Sequence, residues 1–149
     1  MTIDELIENF AFLGEWEDRY RYLIDLGRKL PDFPESEKNS HNKVEGCMSQ
    51  VWMIGDLNDE NPPALHLRAD SDAAIVRGLI AVLLTIFSDK TPGQILATDI
   101  EAIFRELDLE GHISPNRRNG FYSMVQRIKT FAQQAIAEES TSQPPTAGA

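Results

Sequence analysis

Apolar residues recur at helical spacing on either side of a central stretch that runs at strand spacing. That change of period restricts the fold more than any other feature of the chain. Ala64 to Ala69 places Leu65 and Leu67 on one face, with His66 and Arg68 on the other. Val44 to Leu57 contains Val51, Trp52, Met53 and Ile54, and Asn58 to Pro63 between the two runs carries strong turn chemistry. Two or three antiparallel strands joined by hairpins are predicted. The strands are contiguous in sequence and do not alternate with helices, which indicates an α+β fold with helices packed on a small antiparallel sheet.

The flanks read as helices. Thr2 with Glu5 forms a capping-box pattern ahead of Ile3, Leu6, Ile7, Phe10 and Leu13, and Gly14 ends that helix. A second helix fits Trp16 to about Leu30, with Tyr20, Leu23, Ile24 and Leu26 near one face and Pro31 as its stop. Pro31 to Lys43 reads as a polar loop. Asp70-Ser71-Asp72 is expected to cap a helix running to about Phe87, apolar nearly all round except at Arg77 and Gly78, and therefore central. Thr91-Pro92 opens a short helical turn, Thr98 with Glu101 repeats the capping-box pattern, and Ser114-Pro115 opens a last long helix. That helix carries Phe121, Met124, Val125, Ile128, Phe131 and Ile136. One domain is expected over residues 1–139, followed by a loose tail from Ser140 whose composition buries too little surface to order itself.

Composition narrows the partners. Fourteen basic residues against 24 acidic ones leave a net charge of −10, a field that repels phosphate backbones, so nucleic acid is not an expected partner. The acidic start Met1-Thr2-Ile3-Asp4-Glu5 lacks the order of a signal peptide, and Leu79 to Phe87 is too short to span a bilayer. With one unpaired cysteine, a cytoplasmic setting without membrane association is expected.

That cysteine, Cys47, lies in Gly46-Cys47-Met48-Ser49-Gln50-Val51-Trp52. One thiol makes no internal disulfide and cannot alone complete a zinc or iron–sulfur site, so no metal is expected. Local sequence leaves a buried filler and a nucleophile equally open, since Gly46 points to a turn around the thiol. A Cys–His hydrolase needs a base at the sulfur, and His41, His66 and His112 fall in no familiar nucleophile motif. A self-contained dithiol oxidoreductase lacks its resolving thiol. A cluster scaffold would need more thiolates than one. Carriage of a group on a single sulfur survives these exclusions. Arg117 and Arg118 open the last helix, where their charge opposes the helix dipole; they are either solvated or offered to an anion. Asp70 and Asp72 are accounted for by helix capping, and Trp16 and Trp52 by the core or the surroundings of the thiol.

From about Ile3 to Ala135 the chain resembles the SufE family, the sulfur-accepting partners of cysteine desulfurases. The blocks that carry the resemblance are Trp16-Glu17 with Arg19-Tyr20 and Leu23 to Pro31, Asn42 to Trp52, and Asp70 to Leu79. A shorter match is Ser114-Pro115-Asn116-Arg117 with Gly120. The resemblance implies an α+β fold like that of IscU-type scaffolds, with Cys47 as the persulfide-forming residue on a loop at one end of the sheet. It implies that Arg117 lies near the thiol, that Asp70 and Asp72 form an acidic segment beside it, and that Gly46, Ser49 and Gln50 support the site or the partner. Met48 stands where some members have glutamine, and Arg77 where a lysine is expected.

The implied partners are a SufS/CsdA-type cysteine desulfurase, which the protein would stimulate, and a downstream scaffold such as a SufBCD-type complex. Pyridoxal phosphate would reside on the desulfurase, leaving this chain without a cofactor and without turnover of its own. An IscU-type scaffold and a cysteine-dependent hydrolase are the alternatives. Arg117 is expected to lower the thiol pKa modestly, and the loop to shelter Cys47 until a partner docks.

Overall fold

The computed structural model describes residues 1–109 and 111–142, with side chains described through 138. Helices α1 (Ile3–Leu13) and α2 (Trp16–Arg28) lead through a 3₁₀ turn (Glu35–Glu37) to strands β1 (Val51–Leu57) and β2 (Leu65–Ser71). Among the described residues four helices follow: α3 (Ala74–Phe87), α4 (Pro92–Ala97), α5 (Ile100–Glu106) and α6 (Pro115–Ser142). The α+β class read from the sequence is the observed one.

Among the described residues the sheet has two antiparallel strands, in register from Val51 opposite Ser71 to Leu57 opposite Leu65. The side-chain period of two then sorts the faces. Val51, Met53, Leu65, Leu67 and Ala69 enter the core, while His66, Arg68 and Asp70 stay on the outer face. Asn58 holds the connecting turn, its Oδ1 accepting from the Glu60 and Ala64 amides at 3.1 and 2.9 Å. In place of a third strand, Asn42 and Val44 flank an isolated bridge to β1: Met53 N donates to Asn42 O at 2.9 Å and Val44 N to Val51 O at 2.8 Å. The second bond closes residues 45–50 into a loop whose two ends lie side by side.

Helix α3 is the centre of the core, with Ile75, Val76, Leu79, Ile80, Val82, Leu83, Ile86 and Phe87 all buried. It crosses α2 at very close range. A Cβ on Gly78 would lie 2.3 Å from the Leu23 carbonyl oxygen, and one on Gly27 would lie 2.7 Å from the Gly78 nitrogen. Only residues without a side chain permit that crossing. Helix α3 packs against both α2 and β2.

Several expectations about helix ends are corrected. Asp70 and Ser71 belong to β2, and the N-cap of α3 is Ala73, with no side-chain cap, so neither Asp70 nor Asp72 caps this helix. Ser71 Oγ, buried, accepts from the Ala73 amide at 3.2 Å and smooths the strand-to-helix turn. The Thr98–Glu101 capping box is absent: Asp99 caps α5 by accepting from Ala102 N at 3.2 Å, and the reciprocal box sits one helix earlier at Thr91 and Gln94. Helix α6 continues to Ser142, past the expected domain end at 139, and residues 143–149 of the expected tail lie outside the described residues. Tyr20 and Ile136, placed on apolar stripes, are exposed; Ala132 and Ala135 take the core positions on α6.

Candidate functional site

The loop 45–50 leans on the first turns of α6. Gly46 adopts φ 87°, a region that disfavours every residue with a Cβ, and a Cβ there would also lie 2.5 Å from Ser123 Oγ. This conformation turns the next residue inward: Cys47 is half-buried, and its Sγ donates to the Gly120 carbonyl at 3.6 Å. Past the cysteine, the loop is tied to the strand-to-helix junction. Gln50 N donates to Asp72 Oδ1 at 3.0 Å, and Asp72 N donates to Gln50 O at 3.3 Å. Met48 between these anchors is 82% exposed.

Beside the thiol lies a pocket of about 420 Å³. Its floor is apolar, from Val76 and Leu79 of α3 and Phe121 and Met124 of α6. Its polar wall comes from Ser49, Ser114, Asn116 and Arg117. Ser114 starts α6, its Oγ accepting from Arg117 N at 3.2 Å and its carbonyl from Arg118 N at 2.9 Å. That geometry sets Arg117 at the rim, exposed and without an ion pair among the described residues. Arg118 does not line the pocket.

The environment of Cys47 pushes its pKa up. Burial is the larger cause and the Glu45 carboxylate the smaller, both penalising the thiolate. The expectation that Arg117 lowers this pKa is therefore corrected. An exposed guanidinium is screened by water, whereas the pocket wall desolvates the sulfur directly.

The other anticipated residues separate into groups. Cys47, Ser49 and Arg117 meet at the pocket; Gly46, Gln50 and Asp72 shape the loop that carries the thiol. Asp70 does neither. It points to the outer face of the sheet, where Arg77 Nε lies 3.0 Å and Lys38 Nζ 3.4 Å from its carboxylate. Lys38 also sits over Trp52, 5.4 Å from the ring centroid. Trp16 stacks on His112 at 4.5 Å, so neither tryptophan lines the pocket. None of the three histidines lines it either: His66 faces Asp89 at 2.9 Å, and His41 is exposed. A Cys–His hydrolase consequently has no histidine base at this pocket. Among the described residues no cluster of three or more His, Cys, Asp or Glu side chains could hold a metal.

Several contributors escaped the sequence reading as site residues. The pocket's apolar floor and the polar Ser114 and Asn116 are among them. Ser123 faces Gly46, and Gly120 receives the thiol. A glycine within a helix that otherwise favours good helix formers was the available signal, because such a position costs about 1 kcal/mol relative to alanine.

Comparison with known proteins agrees with the resemblance seen in the sequence. The SufE family, described as an Fe-S metabolism associated domain, matches residues 4–132. An uncharacterized SufE-like protein of Rhizobium meliloti is 48% identical over 136 residues, covering 89% of this chain and 95% of that protein. A second, of Rhizobium etli, is 44% identical over 133 residues, covering 89% and 90%. The solution structure of a hypothetical protein from Thermus thermophilus superposes with a TM-score of 0.73 over 92% of this chain and 99% of that one. At 19% identity that likeness speaks for the fold alone. No described helix is long and apolar enough to cross a membrane. By its sequence match across residues 4–132 and its close relatives, the chain belongs to the SufE family of proteins associated with iron–sulfur metabolism.

Proposed function

We propose that this protein is a sulfur carrier that accepts sulfane sulfur onto Cys47 from a cysteine desulfurase and passes it on for iron–sulfur cluster assembly. The observation that carries the reading is the setting of the thiol: a half-buried sulfur at a pocket, on a loop pinned to α6, with no histidine base beside it. Sulfane transfer needs none. The Cys47 thiolate attacks the outer sulfur of a persulfide on the partner, a new S–S bond forms, the old one breaks, and its electron pair leaves on the partner's cysteine as a thiolate. The carrier ends as a persulfide with no net oxidation.

The raised pKa fits a protein that should not react with every disulfide it meets. In the free carrier the thiolate is scarce. A partner that carries positive charge to Glu45, or draws the loop out of the pocket, removes the causes of the shift and generates the nucleophile at the moment of docking. The exposed Met48 and the rim arginine Arg117 flank the path to the sulfur and are the side chains a docking partner meets first.

In this reading the partner is a SufS/CsdA-type desulfurase that holds the pyridoxal phosphate and makes the persulfide; the acceptor is a SufBCD-type scaffold, and the setting is the cytoplasm. This chain contributes a carrier thiol and no turnover of its own. The test is alanine release by a candidate desulfurase supplied with cysteine and reductant. Wild-type protein should accelerate it and Cys47→Ser should not. Equal acceleration by both would reduce the protein to a binding activator and refute sulfur carriage.

A further inference from the structure

Gly120 has no backbone reason to be glycine. It lies within α6, its φ is not positive, and alanine at such a helical position is favoured by about 1 kcal/mol. Packing of the reduced protein does not demand glycine either. A Cβ at 120 would lie 3.5 Å from Cys47 Sγ and 3.8 Å from both Cys47 Cα and Cβ, all ordinary van der Waals contact. Gly27 and Gly78 differ in kind, since a Cβ on either would collide with backbone.

The thiol, however, points at this bare stretch of helix, because Cys47 Sγ donates its hydrogen to the Gly120 carbonyl. We propose that Gly120 is a positioning residue for the carried sulfur: its missing side chain leaves the space into which the outer sulfur of a Cys47 persulfide turns. This inference rests on the sulfur-carrier reading above.

The three distances locate the absent methyl beside the Cβ–Sγ bond of Cys47, in the direction of one gauche rotamer of the bond that follows. In a persulfide the outer sulfur replaces the thiol hydrogen at about 2.05 Å from Sγ. Turned into that rotamer, it would come within roughly 2 Å of an alanine methyl carbon, far inside contact. Alanine at 120 therefore accommodates the thiol and denies the persulfide this place. The outer sulfur then swings into the open pocket, where a small thiol reaches it. That thiolate takes the outer sulfur, the S–S bond breaks, and Cys47 leaves as thiolate.

The experiment loads purified protein with inorganic tetrasulfide, in which the Cys47 thiolate, tetrasulfide dianion and one proton give the Cys47 persulfide anion and hydrogen trisulfide anion. Excess donor is removed, glutathione is added, and decay of the sulfur adduct of about 32 Da is followed by intact mass. Wild type is compared with Gly120→Ala and with Gly93→Ala, where a Cβ meets nothing within 4 Å. Gly120→Ala is expected to lose its adduct roughly tenfold faster than wild type, with Gly93→Ala unchanged. Its thermal midpoint should equal or exceed that of wild type, and alkylation of its reduced thiol should stay within about twofold of the wild-type rate. An adduct on Gly120→Ala that lasts as long as on wild type overturns the inference. So does a lowered midpoint or faster alkylation, which would make the glycine a structural requirement. Wild type that never acquires the adduct refutes sulfur carriage itself, and the role of Gly120 falls with it.

Discussion

Replacing Gly46 by alanine asks whether the Cys47 loop is held against α6 by its own geometry. At φ 87° an L-residue carries a cost of about 1–2 kcal/mol. The added methyl would lie 2.5 Å from Ser123 Oγ and 3.4 Å from Ser123 Cβ. The hydroxyl can rotate aside and the Cβ cannot, so the steric part sits toward the low end of the about 1–3 kcal/mol typical of overpacking. Together the strain comes to about 2–4 kcal/mol. The molecule can release it by opening residues 45–50 without unfolding, and every 1.4 kcal/mol released that way raises the open population about tenfold. Alkylation of Cys47 by a bulky maleimide reports the opening, and urea unfolding reports what remains in the folded core. Gly46→Ala should be alkylated at least about tenfold faster than wild type, with a loss of global stability smaller than the full strain. Adding Ser123→Ala removes the 2.5 Å contact but not the φ strain, so rescue should be partial. Alkylation within about twofold of wild type, with an unchanged urea midpoint, would refute the claim that this loop is pinned.

Three further predictions concern the α2–α3 crossing and the titration of the thiol. Gly78→Ala drives a methyl into the Leu23 carbonyl and should cost about 3 kcal/mol or more despite the helix propensity it gains, as measured by urea unfolding; a loss under about 1 kcal/mol would mean that α2 and α3 part easily. Alkylation of Cys47 should rise with pH into the range above the ordinary thiol value of about 8.5, and Glu45→Gln should move the profile to lower pH without abolishing the shift, because burial is the larger cause; an unmoved profile would remove Glu45 from the account. The same shift has a stability consequence. A thiol whose pKa is raised on folding contributes stability that is full below its unfolded value and is lost as pH rises through the folded one, so wild type should lose more stability than Cys47→Ala on that alkaline limb.

The sequence made the architecture readable because its periods were clean. Strand alternation at Leu65, His66, Leu67 and Arg68 and the all-round apolar run from Ile75 to Phe87 admitted few other arrangements. The end of the α6 stripe was missed because Ala132 and Ala135 bury little area each, while the larger Ile136 draws the eye to the wrong face. Asp70 and Asp72 were misread because aspartate before an apolar helix is also what a capped helix looks like. Only the pairing register, with Asp70 opposite Trp52, shows that the strand has not yet ended there. The direction of the thiol's pKa shift was beyond reach for a different reason. It depends on how deeply Cys47 sits against α6, a contact between residues 73 positions apart that no local pattern encodes. Resemblance to the SufE family supplied the choice of Cys47 over inert filler, which local sequence left open.

The central claim is that sulfur travels on Cys47, and intact-mass measurement tests it most directly. The protein is mixed with a SufS/CsdA-type desulfurase and cysteine, quenched, and weighed, and the modified peptide is then located. Carriage predicts an increment of about 32 Da on the peptide containing Cys47, absent in Cys47→Ser and removed by reductant. No increment on wild-type protein, while the desulfurase is demonstrably forming its own persulfide, would contradict it.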